Sequence, residues 1–188
     1  MSSKYLLVIV GPTASGKTKL AIDLAKTYNT EIISADSRQI YKDLLIGTAQ
    51  PTAEEQNLVK HHLINFVDID KTYTVADYLN DASRIINTLF ETHNILILCG
   101  GTGLYINTIC YGIDNIPDIS AKNRLFVRNL YKDKGLDYCV KELKKWDNTC
   151  EKYFDINNPH RVLRALEVIL QTGKPIRTFY SNKKKRNF

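Results

Sequence analysis

The sequence predicts an α/β fold, a parallel sheet wrapped by helices, with a helical lobe inserted after it. Three observations lead there. Short apolar runs rich in β-branched residues alternate with segments of helical spacing. The first run ends in a glycine-rich loop that opens a helix. The alternation stops near residue 113, beyond which only helical patterns with charged faces remain.

Taken in order, Tyr5-Leu6-Leu7-Val8-Ile9-Val10 reads as a buried parallel strand stopped by Gly11-Pro12. Residues 17–26 follow with Leu20, Ala21, Leu24 and Ala25 on one helical face. Residues 31–34 form a second strand. Residues 75–90 form a helix whose stripe is Val75, Tyr78, Leu79, Ala82, Ile85, Ile86 and Leu89. Ile95-Leu96-Ile97-Leu98-Cys99 is another buried strand, ended by Gly100-Gly101-Thr102-Gly103. Past Pro117 the texture is helical. Asn158 caps a helix with Pro159 at its first position, and Gly173 closes it. The expected organisation is a catalytic core at 1–113, a helical lobe at 114–175 and a disordered basic tail at 176–188.

At 188 residues and 44% hydrophobic the chain can bury a sizeable core. No apolar run approaches the ~18 residues of a membrane span. Met1-Ser2-Ser3-Lys4 leads straight into a strand and leaves no room for a signal peptide, so a cytoplasmic monomer is expected. Cys99, Cys110, Cys139 and Cys150 lack the close spacing of a zinc or redox motif and read as reduced thiols. Residues 1–100 carry 9 Lys/Arg against 11 Asp/Glu, whereas residues 101–188 carry 17 against 9. A near-neutral front and a basic rear fit a catalytic core beside a polyanion-facing surface, or simply a solvated basic face.

The chemistry concentrates in Gly11, Pro12, Thr13, Ala14, Ser15, Gly16, Lys17 and Thr18, which fit GxxxxGK(S/T) between a strand and a helix. In that setting the loop N–H groups converge on a phosphate, Lys17 neutralises its oxygens and the Thr18 hydroxyl ligates Mg²⁺. The fold is therefore P-loop NTPase-like. The later strand ends Leu98-Cys99-Gly100 without the carboxylate that hydrolytic P-loop proteins use for metal. The carboxylate is Asp36, just past the second strand, where it and Thr102 can both reach the crevice at the strands' carboxyl ends. Asp36 then serves as a general base, or merely caps the next turn.

The blocks GPTASGKT (11–18), SADSRQIYKDLLIGTAQP (34–51), HHLI (61–64), GGTGLY (100–105) and NPHRVLRALEV (158–168) occur in the order found in tRNA dimethylallyltransferases. The chain resembles that family from Tyr5 to Pro175. The resemblance implies that the P-loop holds dimethylallyl diphosphate and that Asp36 is the base toward an adenine exocyclic amine near the anticodon. It implies that Asp36, Ser37, Arg38 and Gln39 face the target nucleotide. By the same resemblance Thr102 and Arg124 would sit near the reaction centre, and His160, Arg161, Val162, Leu163 and Arg164 would touch the tRNA anticodon stem-loop.

Independently of that likeness, Arg161 and Arg164 stand three apart on a predicted helix, where they grip phosphate or join surface ion pairs. His61 and His62 point to opposite faces of an extended segment and read as packing rather than a metal site. Trp146 and Tyr153 read as core, with base stacking the alternative. Two departures stand out. His160 replaces the family's usual Gln, and the family's chains continue well past the 158–175 block. Rival readings are prenyl transfer to AMP or ADP, a small-molecule kinase, and a protein that binds diphosphate or RNA without turnover.

Overall fold

The computed structural model describes residues 3–44 and 47–180. It divides into two compact units, the first ending at Ile113 and the second beginning at Asp114. None of the helices among the described residues is long and apolar enough to cross a membrane.

The first unit is a four-stranded parallel sheet of order β1-β4-β2-β3. Its strands are β1 (Tyr5–Val10), β2 (Ile32–Ser34), β3 (His61–His62) and β4 (Ile95–Gly100). Helix α1 (Lys17–Tyr28) covers one face, and α3 (Val75–Leu89) and α4 (Gly103–Tyr111) cover the other. A short helix, α2 (Ala53–Leu58), precedes β3.

Strand alternation assigns the two faces. Leu96 and Leu98 of β4, with Ile33 and Ala35, pack on Tyr78, Ala82 and Ile86 of α3 and on Tyr105 and Ile109 of α4. The intervening Ile97, with Ile32, packs on Ala21, Ile22 and Ala25 of α1. Capping boxes at Thr52 and Thr74 start α2 and α3, each Thr hydroxyl accepting from the N–H three residues on. The buried Tyr78 hydroxyl donates to Ser34 O at 2.9 Å, and its ring stacks on Tyr105 with centroids 3.8 Å apart. This pins the end of β2, and the turn beyond it, to both helices.

One strand differs from expectation. β1 is not buried: among the described residues it pairs only with β4, and Tyr5 and Val10 are more than half exposed. An apolar run records a strand's ability to pack, but its burial depends on having neighbours on both sides.

The second unit is helical. Ser120 caps α5 (Ala121–Trp146), which breaks at Gly135 (φ 77°), and α6 (Pro159–Thr172) packs against it. As read from the sequence, the Asn158 side chain accepts from Arg161 N–H, and Gly173 (φ 69°) closes α6 in the left-handed region. Val127, Cys139, Leu143, Ala165, Leu166 and Ile169 form the core.

Residues 176–180 depart from the expected tail. Ile176–Phe179 is a 3₁₀ turn, with Ile176 buried in this core. Arg177 Nε donates to Asp147 Oδ2 at 2.9 Å, while Asp147 Oδ1 accepts from both N–H and hydroxyl of Thr149. The buried Asp147 thus ties the turn to the end of α5. The rest of the expected tail, including Lys183-Lys184-Lys185-Arg186, lies outside the described residues. All four cysteines are free thiols.

Candidate active site

The site forms where β1, β4 and β2 end side by side. After β1 the loop 11–16 turns back on itself through Ala14 (φ 63°) and Gly16 (φ 83°), both in the left-handed region. Gly16 is the N-cap of α1, and no side chain caps that end. The first N–H groups of α1 are thus left for a ligand, as anion-binding loops require. Lys17 and Thr18 occupy the first turn. The Lys17 ammonium donates to Pro12 O at 2.5 Å, folding over its own loop.

Between these ends β4 contributes glycine for a steric reason. A Cβ at Gly100 would fall 2.2 Å from Ala35 O, so only glycine lets the two chains approach. Ala35 N–H donates to Cys99 O and Thr102 N–H to Ala35 O, extending the ladder past the formal strand ends. Ser37 N–H donates to Thr102 Oγ1 at 2.9 Å, and that hydroxyl lies 3.2 Å from Ser37 Oγ. Thr102 therefore clamps the 36–38 turn.

Asp36 does what the structural reading of it required, since Oδ1 accepts from Arg38 N–H at 2.9 Å. The bond uses one oxygen only. Oδ2 turns toward Gly101, 3.8 Å from the position a Cβ would take there. Gln39 is a brace: its side-chain Oε1 accepts from Ser34 Oγ, and its Nε2 donates to Ala49 O at 2.8 Å. Arg38 is exposed.

Residues 13–19, Ser34, Asp36, Gln39, Cys99 and Gly100 line one cavity of about 270 Å³. Burial pushes the Cys99 thiol up, and Lys17 and Asp36 act on it with opposite signs. Both charges thus lie within electrostatic reach of the end of β4. The structure brings the loop, Asp36, Gln39 and, through its clamp, Thr102 together within the first unit.

His61, read from the sequence as packing, lines the same cavity. Its neighbour His62 pairs with Glu31 through Nε2. Burial alone would raise the Glu31 carboxyl, but His62 and Lys60 outweigh it and the carboxyl is lowered. No group of three His, Cys, Asp or Glu among the described residues could hold a metal.

The remaining residues belong to the second unit. Arg124 is exposed in the first turn of α5. His160 and Arg161 are exposed on the first turn of α6, and Arg164 reaches Glu167 at 3.4 Å. Val162 is fully buried, so its side chain is not presented to a ligand, and Leu163 is partly buried against the same core. The apolar positions of an amphipathic helix turn inward even inside a functional segment. The expectation for Trp146 and Tyr153 also reverses. Both are at least half exposed, and the Arg177 guanidinium sits 5.7 Å over the Tyr153 ring.

Comparison with known proteins bears on this geometry. The family model for IPP transferases matches residues 39–188. A tRNA dimethylallyltransferase of Cytophaga hutchinsonii is 41% identical over 182 residues, 97% of this chain and 60% of that protein. One of Christiangramia forsetii is 42% identical over 187 residues, covering 99% and 62%. These alignments extend across the phosphate loop, which precedes the family-model match.

Among solved structures, a eukaryotic dimethylallyltransferase acting on tRNA superposes with a TM-score of 0.79 at 29% identity, over 98% of this chain and 46% of that one. The full-length tRNA isopentenylpyrophosphate transferase of Bacillus halodurans gives 0.58 at 39% identity, over 92% and 57%. The chain spans about 60% of the length of the curated relatives it matches.

Proposed function

The chain belongs to the IPP transferase family, and on that premise we propose that it transfers a dimethylallyl group from dimethylallyl diphosphate to the N6 amine of an adenosine beside a tRNA anticodon. The carrying observation is that the phosphate loop and Asp36 line one cavity. The adenine amine attacks the allylic carbon, forming a C–N bond as the C–O bond to diphosphate breaks. The electron pair leaves with diphosphate, and the amine proton passes to Asp36. An arrangement of loop N–H groups, Lys17 and the α1 N-terminus answers the charge growing on the leaving oxygens. Asp36 suits the proton because the Arg38 N–H bond fixes its orientation through one oxygen and the other can accept.

Mg²⁺ fits the donors present. Thr18 places a hard hydroxyl oxygen beside the phosphate loop, and no protein cage is needed where ligand oxygens complete the shell. When bound, it would neutralise diphosphate charge. The family resemblance assigns Arg124 to the reaction centre and His160, Arg161 and Arg164 to the tRNA. The exposure of Arg124, His160 and Arg161, the partial exposure of Arg164 and the basic second half support that assignment. The test is to incubate the chain with Mg²⁺, labelled dimethylallyl diphosphate and unmodified tRNA, with AMP in a parallel reaction. Label in tRNA supports the proposal. Label in AMP alone would transfer the assignment to a free-nucleotide acceptor.

A further inference from the structure

The second unit holds a hollow of about 450 Å³ that the chemistry of the first unit does not use. Three elements build it. Tyr153 and Phe154 follow the 3₁₀ turn Cys150–Lys152, His160, Arg161 and Arg164 come from the first turns of α6, and Tyr180 follows the turn Ile176–Phe179. Each element is anchored by a residue buried in the common core, Cys150, Val162 and Ile176 in turn. The walls are therefore set by packing rather than by free side chains.

Their chemistry is of two kinds, since three aromatic rings stand beside three groups able to carry positive charge. Tyr153 is half exposed, and the Arg177 guanidinium, itself tied to Asp147, sits 5.7 Å over its ring and steadies it. Burial and Asp114 push the Tyr180 hydroxyl up while Arg161 pulls it down, so the Arg161 charge acts at that ring. Arg161 is exposed, and Arg164 is held by Glu167 at 3.4 Å, a surface pair weak enough to be exchanged.

A ligand that answers both kinds is flat, apolar on its faces and anionic at one edge. A nucleotide has that form: bases stack on aromatic rings, and arginine pairs with phosphate. The volume lies within the ~300–1,000 Å³ of small-ligand sites. A base inside a double helix has both faces covered by its neighbours, so the ligand is an unpaired one. The reacting amine belongs beside Asp36 in the first unit, so the base taken here is a second one. We propose that this pocket takes one unpaired base of the RNA, other than the base that is modified, against the rings of Tyr153, Phe154 and Tyr180, with its flanking phosphate on Arg161 and Arg164. The arginines alone would hold any phosphate backbone, whereas the pocket selects a loop with an unstacked base. This rests on the proposed reading of RNA as the acceptor.

The test is an anisotropy titration of the full chain against a labelled anticodon stem-loop and a series in which one loop base at a time, the modified adenosine excepted, is removed to leave an abasic sugar. At one position the loss should weaken binding roughly five- to a hundredfold, the range of one stacked base. Tyr153→Leu should bind the intact loop more weakly and no longer distinguish it from that abasic loop. Tyr153→Phe, which keeps the ring, should restore the difference. Arg161→Ala should weaken both loops and leave their ratio unchanged. Abasic loops that all bind like the intact one would overturn the pocket while leaving RNA as the acceptor, as would a difference that survives in folded Tyr153→Leu. Displacement of the stem-loop by equimolar AMP, lost in Tyr153→Leu, would assign the pocket to a free nucleotide and overturn the proposal. Failure of wild type to bind the stem-loop at all would bring down the RNA reading itself.

Discussion

The two units hold their functional groups in opposite ways. In the first, the working atoms belong largely to backbone at strand ends, and the few side chains involved are locked. Asp36 is held by Arg38 N–H, its turn by Thr102, and Gln39 by Ser34 and Ala49. In the second, the candidate groups are long cationic side chains on the exposed faces of helices whose inner faces are spent on a core. A locked constellation suits a transition state, in which small displacements are costly. Exposed arginines suit a polyanion, in which charge and reach matter more than placement. The contrast predicts that single changes in the first unit act on chemistry, and that changes on the surface of the second act on affinity.

The largest effect should come from Asp36. Asp36→Asn keeps the Asx-type bond to Arg38 N–H, because an amide oxygen still accepts, but removes the proposed base. Single-turnover transfer should slow by roughly 10² to 10⁴ with both substrates still bound. A near wild-type rate would reduce Asp36 to the turn-capping role its Oδ1 already performs.

Lys17→Ala should come next, weakening inorganic diphosphate by about ten- to a hundredfold, as for one lost charge-assisted hydrogen bond. Binding of tRNA should be nearly unchanged in the same preparation. Equal loss of both ligands in a folded variant would break the division between the units.

Much of the first unit was legible in the sequence because its signals are local. A β-branched run, a glycine loop and a helical stripe each imply their element, and the phosphate loop carries its own geometry. Three features were not legible, each for a different physical reason. The exposure of β1 depends on which strands flank it. The roles of Gln39 and Thr102 depend on contacts spanning 10 and 65 residues of sequence. The place of His61 in the cavity wall depends on the pairing of β3 with β2, which spacing does not encode. In the second unit the helix caps were readable, but Val162 entered the candidate interface with the whole 160–164 segment that the family resemblance implies, although its side chain is buried. Residues 176–180 were assigned to a tail because a lone apolar Ile176 gives no sign of the Asp147–Arg177 pair that holds it.

That pair sharpens the comparison through acid sensitivity. Burial would raise the Asp147 carboxyl, but the Thr149 bonds and Arg177 outweigh it, and the carboxyl is lowered from 3.8. A group with a lowered folded pKa adds stability above its unfolded value and loses it as pH falls through the folded one. Asp147→Asn should therefore destabilise the chain by about 2 kcal/mol at neutral pH, from weakened charge-assisted bonds. The gap from wild type should close as pH drops below 3.8. Denaturant melts at pH 7 and pH 3 measure it, and a gap of constant size would show that the carboxylate's charge is irrelevant.

The smallest and most diagnostic change concerns Arg161 and Arg164. They stand three apart in the first turns of α6, one exposed and the other loosely held by Glu167 at 3.4 Å. An ion pair of that length at the surface contributes little, so Arg164 can exchange Glu167 for a phosphate at small cost. Each lost phosphate contact lowers the log–log salt slope of RNA binding by somewhat under one unit, so replacing both arginines by Ala should remove roughly 1.5. Folding should survive, because Val162, Ala165 and Leu166 carry the packing of α6. The necessary control is deletion of Lys183-Lys184-Lys185-Arg186, which should weaken binding to any RNA equally. The arginine pair should matter more for a folded anticodon stem-loop than for an unstructured strand, since a helix presents two guanidinium groups at fixed separation. If the pair proves silent and the run accounts for all of the salt dependence, the second unit's charge is a general attraction and α6 has no recognition role.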